Sequence, residues 1–423
     1  MKTLDQIAAA LAGYDPDAMS AERVDAFLEQ LVTPISACED VSVFASLGRV
    51  LARDLISPIS VPGHDNSAMD GYAFDGAQLS ATEPLLLHTV GTALAGQADT
   101  VRVAPGQCVR IMTGAIMPEG LDTVAPQELC HVDGDTVRVP PGVLKPGDNR
   151  RLKGEDLMQG QPALRQGTRL TPAALGLIAS LGLASVPVQR RLKVAYFSTG
   201  DEILSLGQPP RTGAVYDSNR YTVFGLLTQL GCEVIDLGVV PDQPERLQAA
   251  FVDAASRADA VITSGGVSVG EADYTKRMMQ QLGDVAFWKI AMRPGRPMAV
   301  GRIGPGATVL FGLPGNPVAV MITFLAFVRP ALLRMMGCPR TPLPRVQARS
   351  SEAIRKKPGR TEYQRGIVSN APDGTLQVRT TGNQGSGVLS SMVQANALIV
   401  LRHAQASVAV GDWVDVLLFD GLM

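Results

Sequence analysis

The 423-residue chain is short of aromatic rings, which make up 5% of it. That scarcity argues against the stacked ring platforms that hold single-stranded nucleic acid. Net charge is also small, at −2, so no global field draws a polyanionic polymer. The five cysteines (Cys38, Cys108, Cys130, Cys232, Cys338) are odd in number and contain no CxxC pair. Neither a disulfide framework nor a zinc site is indicated, and buried free thiols in a reducing compartment are expected. The four histidines, His64, His88, His131 and His403, have no HExxH-type spacing. The first fifteen residues carry one Lys and an early Asp before a brief apolar run, unlike a secretory leader. The longest apolar candidates, 173–188 and 318–328, are too short or too rich in Gly and Pro to span a bilayer. A cytoplasmic protein with no nucleic-acid or membrane partner is expected.

What is abundant is hydrophobic residue, 46%, with 43 glycines and 29 prolines. Such a chain buries large cores and turns often, which excludes disorder and fibre. At about 150 residues per domain the length predicts roughly three domains.

Apolar spacing predicts helices in the first 35 residues, carried by Leu4, Ile7, Ala8 and Leu11, and at 21–31. Residues 40–58 read as helical and then extended. Short β runs follow: LLLHTV, QCVRIM, DTVAPQ and DTVRVP. ALGLIASLG reads as a buried helix. From Lys193 strands and helices alternate, which predicts a central parallel α/β sheet. Prolines 339, 342 and 344 mark a linker, and short strands beyond it predict a small C-terminal β-barrel. The expected units are a helical and extended linker unit at 1–58 and 151–190, a β-rich insertion at 59–150, the α/β unit at 191–340 and the barrel at 341–423. The fold class is therefore α/β plus β, multidomain.

Ligands of parallel sheets bind beyond the carboxyl ends of the strands. Those ends carry Ser198-Thr199-Gly200-Asp201-Glu202, Asp242, Ser264-Gly265-Gly266-Val267-Ser268 through Asp273, and Pro314-Gly315-Asn316-Pro317. Asp217 is expected on the same rim. Glycine turns entering helices suit phosphate. Carboxylates beside phosphate suit Mg²⁺ between them. Neither GxGxxG nor GxxxxGK[ST] occurs at this edge, which weakens dinucleotide and P-loop readings. Gly266-Val267-Ser268-Val269-Gly270 matches the GxSxG nucleophile elbow. The one downstream histidine, His403, falls in the predicted barrel, so a hydrolase triad is not supported.

Cations answer the acids. Phe287-Trp288-Lys289 leads to Arg293-Pro294-Gly295-Arg296-Pro297, three charges around a stiff turn. Residues 340–365 hold eight basic and two acidic side chains. They read either as a solvated face or as a small-anion site, for which Arg forks are suited. Ser386 lies in the turn TTGNQGSG. Two further polar stretches stand out, VPGHDNSAMDGYA around Asp70 and RRLKGED ending at Asp156, with Thr113 closing a strand.

Taken together, PGHDNSAMDGYA, RIMTGA, GED, FSTGDE, YDSN, TSGGVSVGEADYTK, FWK…RPGRP, GLPGNP, PGRTEYQRG and TTGNQGS resemble the molybdopterin molybdenumtransferase family. This is the MoeA type, similar to the C-terminal domain of gephyrin, and the resemblance runs in order from about residue 5 to 420. It implies a homodimer that joins molybdate to adenylylated molybdopterin with Mg²⁺ and releases AMP, in a cleft completed by the partner's second domain. A molybdopterin adenylyltransferase is a further conceivable partner. On this resemblance Asp242 and Asp273, with Glu202, are the expected Mg²⁺ ligands. Gly265, Gly266 and Ser268 cradle phosphate. Lys289, Arg293, Arg296, Pro297, Arg360 and Ser386 hold molybdate and the pterin's terminal phosphate. Asp70, Thr113 and Asp156 come from the second domain. The family commonly has lysine at 293 and 296 and serine at 319, where this chain has Arg293, Arg296 and Ala319. A non-catalytic scaffold and an adenylyltransferase are the alternative functions.

Overall fold

The computed structural model describes residues 2–97, 101–267, 274–340 and 342–423. Ser268 and Asp273, two of the expected site residues, lie outside them.

Residues 193–335 form the α/β body. Its elements are β1 (Lys193–Thr199), α1 (Ser218–Leu230), β2 (Glu233–Val240), α2 (Pro244–Arg257), β3 (Ala260–Ser264), α3 (Tyr274–Leu282), β4 (Gly283–Lys289), β5 (Pro297–Ile303), β6 (Thr308–Leu313) and α4 (Pro317–Met335). The sheet order is β2-β1-β3-β6-β5-β4. Every residue of β3 and β6 is buried, which is why their sequences are mostly apolar and carry no charged side chain. Asp217 caps α1, and Gly231 at φ +93° closes it in the left-handed conformation.

The expected parallel sheet is present as β2, β1, β3 and β6. β5 departs from it and runs antiparallel to both β6 and β4. The reason lies in the connections. No helix separates β4, β5 and β6, and without a crossover neighbouring strands must reverse.

α4 is an α-helix interrupted by a π turn at Phe324–Val328. By length and composition it could cross a membrane, with a mean hydropathy of 1.8, but 72% of it is buried in the fold. It is the central core helix, packed among Phe311, Leu227 and Leu398.

The N-terminal helices Leu4–Ala10 and Ala21–Leu31 form as the periodicity predicts. Grouped by sequence with the linker unit, they instead pack into the α/β core. Phe27 meets Trp288 edge-on at 4.8 Å, the Trp288 indole donates to the Tyr14 hydroxyl at 3.1 Å, and Arg302 donates to the Lys2 carbonyl at 2.6 Å. A helix's apolar stripe says that it is buried, not against what. Residues 38–56 also differ from the helix-then-strand expectation. Cys38–Ser42 is a strand paired with Ser185–Gln189, and only one 3₁₀ turn follows, capped by Ser42.

The insertion is a mixed six-stranded sheet, ordered Thr123–Pro126, Gly71–Phe74, Gln107–Ile111, Leu85–Ala93, Thr136–Val139, His131–Asp133. At the C-terminus, Thr361–Asn370, Leu376–Thr380, Val346–Ser350, Trp413–Leu418 and Ala397–Leu401 pair around a closed ring. This five-stranded barrel leaves no open edge. Met292–Arg293 of the α/β body pairs alongside Thr361–Glu362 and joins the two units.

Candidate active site

Strand registers place the predicted loops on one rim. Thr199 is level with Val240, Ser198 with Ser264, and Ser264 with Leu313. Because β5 is reversed, it begins at that rim. Ala299 pairs with Gly312, and Lys289 with Pro297. The rim therefore runs from Asp242, past Glu202 and Gly265, to Pro314, Pro297 and Lys289.

One end is acidic. Asp242 Oδ1 accepts from Thr275 Oγ1 at 3.3 Å, and its backbone N–H donates to Asp201 Oδ1 at 3.4 Å. Burial raises the Asp242 carboxyl above the usual range, and the Asp201 and Glu202 charges add to the rise against the Thr275 bond. Asp201 and Thr275 were not singled out from sequence. The signal for Asp201 was its place beside Glu202 at the end of β1. Asp217, expected on the rim, is instead 3% exposed beneath it. Its Oδ1 accepts from Ser198 Oγ at 2.9 Å and caps α1, so it serves the scaffold.

Gly265 and Gly266 turn the chain at φ +93° and +66°. A side chain at Gly265 would collide with the Thr199 carbonyl, and one at Gly266 with Thr275. The Gly265 N–H is already donated to the Leu313 carbonyl at 3.2 Å, so Gly265 shapes the turn.

The donors at the acidic end are all oxygens, as Mg²⁺ prefers. Burial and the like charges of Asp201 and Glu202 disfavour the ionised Asp242 carboxyl, and a bound cation would offset that cost, so Asp242 with Asp201 and Glu202 fits the ion. Among the described residues no three acid, His or Cys side chains are already drawn together as a metal cage.

The other end is basic. Lys289 Nζ lies 2.7 Å from Asp17 Oδ1, and that contact pulls the Asp17 carboxyl below its usual range. Asp17 was not expected here. Arg293 is level with Glu362 of the barrel, and Arg360 Nε donates to Glu362 Oε1 at 2.8 Å. Glu362 is 2% exposed and also accepts from Gln364 at 3.0 Å. It fixes the Arg360 guanidinium by one edge. Ser386 reaches the rim because its carbonyl accepts from Val318 N at 3.0 Å, where α4 begins. Buried Arg365 holds the same turn through the Gly385 carbonyl at 2.9 Å and Ser391 Oγ at 2.9 Å. Arg296 and Pro297 follow the left-handed Gly295.

The dense basic run of 340–365 does not act as one patch. Arg340 pairs with Asp25 and Glu29, Arg345 with Asp415, and Arg349 lies over the Trp413 ring. Lys356 is buried against carbonyls. Arg360 is the member that stands beside Arg293 through Glu362. His403, weighed as a triad base, offers its carbonyl to Gly359 within the barrel.

The second-domain residues assemble among themselves. Gly71 pairs with Ile111, so Asp70 and Thr113 leave adjacent strands at the same end. Asp70 Oδ1 accepts from Thr113 N and Oγ1, both at 2.7 Å. The segment of Asp156 is held against residues 61–65, at the start of the loop that leads to Asp70. Asp156 N donates to the Val61 carbonyl at 3.1 Å, Gly154 N to Pro62, and Lys153 N to Asp65 Oδ1 at 2.8 Å. Among the described residues, no hydrogen bond or ion pair joins this group to the α/β rim.

Three family profiles cover most of the chain. "MoeA N-terminal region (domain I and II)" matches residues 19–182, "Probable molybdopterin binding domain" matches 195–334, and "MoeA C-terminal region (domain IV)" matches 347–419. The molybdopterin molybdenumtransferase of Haemophilus influenzae is 42% identical over 397 residues, 94% of this chain and 97% of that one. That of Bacillus subtilis is 34% identical over 94% and 93%. The crystal structure of the molybdopterin biosynthesis moeA protein from Pyrococcus horikoshii OT3 superposes with a TM-score of 0.80 at 27% identity, over 95% of this chain and 100% of that one. Fold, rim and matches together define a multidomain transferase with an α/β body of the molybdopterin-binding type. The chain belongs to the molybdopterin molybdenumtransferase family.

Proposed function

We propose that this chain completes molybdenum cofactor biosynthesis by inserting molybdate into adenylylated molybdopterin, with Mg²⁺-dependent release of AMP. The observation that supports this most is the division of one sheet rim into an acidic end and a basic end. A phosphoanhydride with a bound cation suits the first, and a small oxyanion suits the second.

Asp242, with Asp201 and Glu202 beside it, would hold Mg²⁺, and Asp273, which lies outside the described residues, is proposed as a further ligand from the family resemblance. When bound, the ion neutralises charge on the phosphate that leaves as AMP. The glycine turn at 265–266 lets the chain pass tightly against Thr199 and Thr275 and so shapes the rim on which the pyrophosphate would lie. Lys289, Arg293, Arg296 and Arg360 orient molybdate, with Ser386 as a hydroxyl donor. An oxygen nucleophile, water or a molybdate oxygen, attacks the pterin-side phosphorus, the P–O–P bond breaks and AMP leaves, while the cations hold molybdate beside the dithiolene. Arg293 and Arg296 stay protonated, so they bind the anion rather than relay protons.

The chain works as a homodimer, the partner's Asp70, Thr113 and Asp156 closing the cleft. Support for this is that Asp70 and Thr113 bond to each other and, among the described residues, make no bond to their own rim. The proposed units are residues 59–150 as insertion, 38–58 with 151–190 as linker, 191–340 with the N-terminal helices as body, and 341–423 as barrel. Free cysteines fit a cytoplasmic setting. Purified protein mixed with adenylylated molybdopterin, molybdate and Mg²⁺ should release AMP stoichiometrically with cofactor formed. Absence of AMP would favour the scaffold reading.

A further inference from the structure

A second concentration of positive charge lies away from the rim. Behind α1 and the π turn of α4 is a cavity of about 140 Å³, with Arg169 and Arg329 in its wall. Arg329 is 9% exposed and donates to the Gly421 carbonyl at 2.8 Å. Arg169, at the mouth, donates to the carbonyls of Gly48 and Gln229, both at 3.3 Å. Neither guanidinium has an acidic partner among the described residues. Two forks of five N–H groups each thus make three bonds, all to neutral oxygens.

Capping the carboxyl end of α1 accounts for Arg169. It does not account for Arg329. A buried cation without a counter-charge is costly, and a second cation beside it raises the cost. Other buried arginines of this chain make more bonds, and Arg302, equally buried, donates to both the Lys2 and Leu31 carbonyls. Arg49 pairs with Glu39, and Arg365 makes bonds to two carbonyls, Asn383 and Gly385, and to Ser391 Oγ. Burial, followed by the Arg169 charge, pushes the Arg329 guanidinium below its usual pKa. The π turn just before Arg329 adds a residue to the helix and turns its last half relative to the first. Such turns are enriched at binding sites.

We propose that the Arg169–Arg329 pocket binds a small tetrahedral oxyanion, which bridges the two guanidinium groups and ties the linker unit to the α/β body. Leu226, Leu230, Phe324 and Leu422 form an apolar wall behind the two guanidinium groups, while the Arg169 side faces solvent. α1 starts at the rim and ends at this pocket, so the two sites stand about 20 Å apart at 1.5 Å per residue. The pocket is therefore separate from the molybdate-orienting cations, although it takes an anion of the same shape. Free phosphate or sulfate, or the molybdate substrate itself, could supply it.

The test must remove anion binding at the rim. In a chain carrying Lys289→Ala, Arg293→Ala, Arg296→Ala and Arg360→Ala, sodium sulfate is titrated against sodium chloride at constant ionic strength, and Tm and heat of binding are followed. The expected result is one saturable site that stabilises the fold. Adding Arg169→Gln should weaken it by about tenfold or more, the value of a charge-assisted bond of ~1.5–3 kcal/mol. Arg169 is exposed, so this variant folds even if Arg329→Gln does not. Parallel titrations with phosphate and molybdate identify the source: equal affinities assign the general anion pool, and tighter molybdate binding assigns the substrate. Absence of a saturable site, or a site indifferent to Arg169→Gln, overturns the proposal. AMP release by Arg169→Gln in the otherwise native chain should be unchanged, which separates failure of this pocket from failure of the catalytic reading.

Discussion

Asp70 and Thr113 are bound twice through one oxygen, Asp70 Oδ1 accepting both the Thr113 N–H and its hydroxyl at 2.7 Å. The bonds from the Thr113 hydroxyl and N–H hold the Asp70 carboxyl below its usual range. They also fix the side chain so that the other oxygen points outward. Thr113→Val keeps the backbone bond and removes the hydroxyl. AMP release should fall about tenfold, the lower end of what loss of an orienting partner costs. Thr113→Ser should retain most of the activity. A drop in kcat with an unchanged melting temperature is the expected signature, and equal rates for Val and Ser would remove Thr113 from the site.

If the partner subunit supplies Asp70, two inactive variants should rescue each other. Asp70→Asn and Asp242→Asn damage opposite sides of the cleft. In a random mixture of subunits, half of the dimers are mixed. One cleft in each mixed dimer carries both lesions, and the other carries neither. Recovery of about a quarter of native activity follows from that statistic. It is measured after co-expression with two different affinity tags. No recovery would place Asp70 in the cleft of its own chain.

Asp242 carries the pH dependence. Its folded-state carboxyl lies above the usual range because of burial, with Asp201 and Glu202 adding to the effect. A raised carboxyl costs stability once ionised, so the Asp242 contribution to apo-protein stability, read as the difference from Asp242→Asn, should rise as pH falls through the folded value. Mg²⁺ competes with that proton. The acid limb of kcat/KM should therefore lie above the ordinary carboxylate range and move down with added Mg²⁺. Asp201→Asn removes one like charge and should also move the limb down. A limb insensitive to both changes would separate Asp242 from the metal.

The parts of this site that could be read from sequence are those whose position follows from a strand end. KVAYFST, AVITS and TVLFGL are mostly apolar and carry no charge beyond the opening Lys193 because both faces are covered, so their carboxyl-terminal loops could be placed on one rim. The reversal of β5 was written in the missing helix before it. The partners of the cations were not legible. Arg340 meets Asp25 and Glu29 across 315 and 311 residues, and Lys289 meets Asp17 across 272. A run of basic residues records local charge, whereas the acid that takes each one is set by packing. The N-terminal helices show the same limit. Phe27 declares a buried face, but Trp288, its neighbour, is set by the tertiary fold.

Glu362 tests whether Arg360 acts through its exact placement or through charge alone. Glu362 is almost fully buried between Arg360 and Gln364, with bonds of 2.8 and 3.0 Å. Those bonds leave the far edge of the Arg360 guanidinium for a second oxyanion, as a planar fork allows. Glu362→Gln retains the volume and one acceptor but removes the charge that orients Arg360. The KM for molybdate should rise about tenfold, matching a loss of ~1–2 kcal/mol from a charge-assisted bond, with a smaller change in kcat. Arg360→Lys should resemble it, because an ammonium keeps the charge but loses the fork. If Arg360→Lys behaves as the native chain while Arg360→Ala does not, the anion feels charge only, and Glu362 has no positioning role. If Glu362→Gln instead lowers kcat and leaves KM unchanged, Arg360 acts after molybdate has bound.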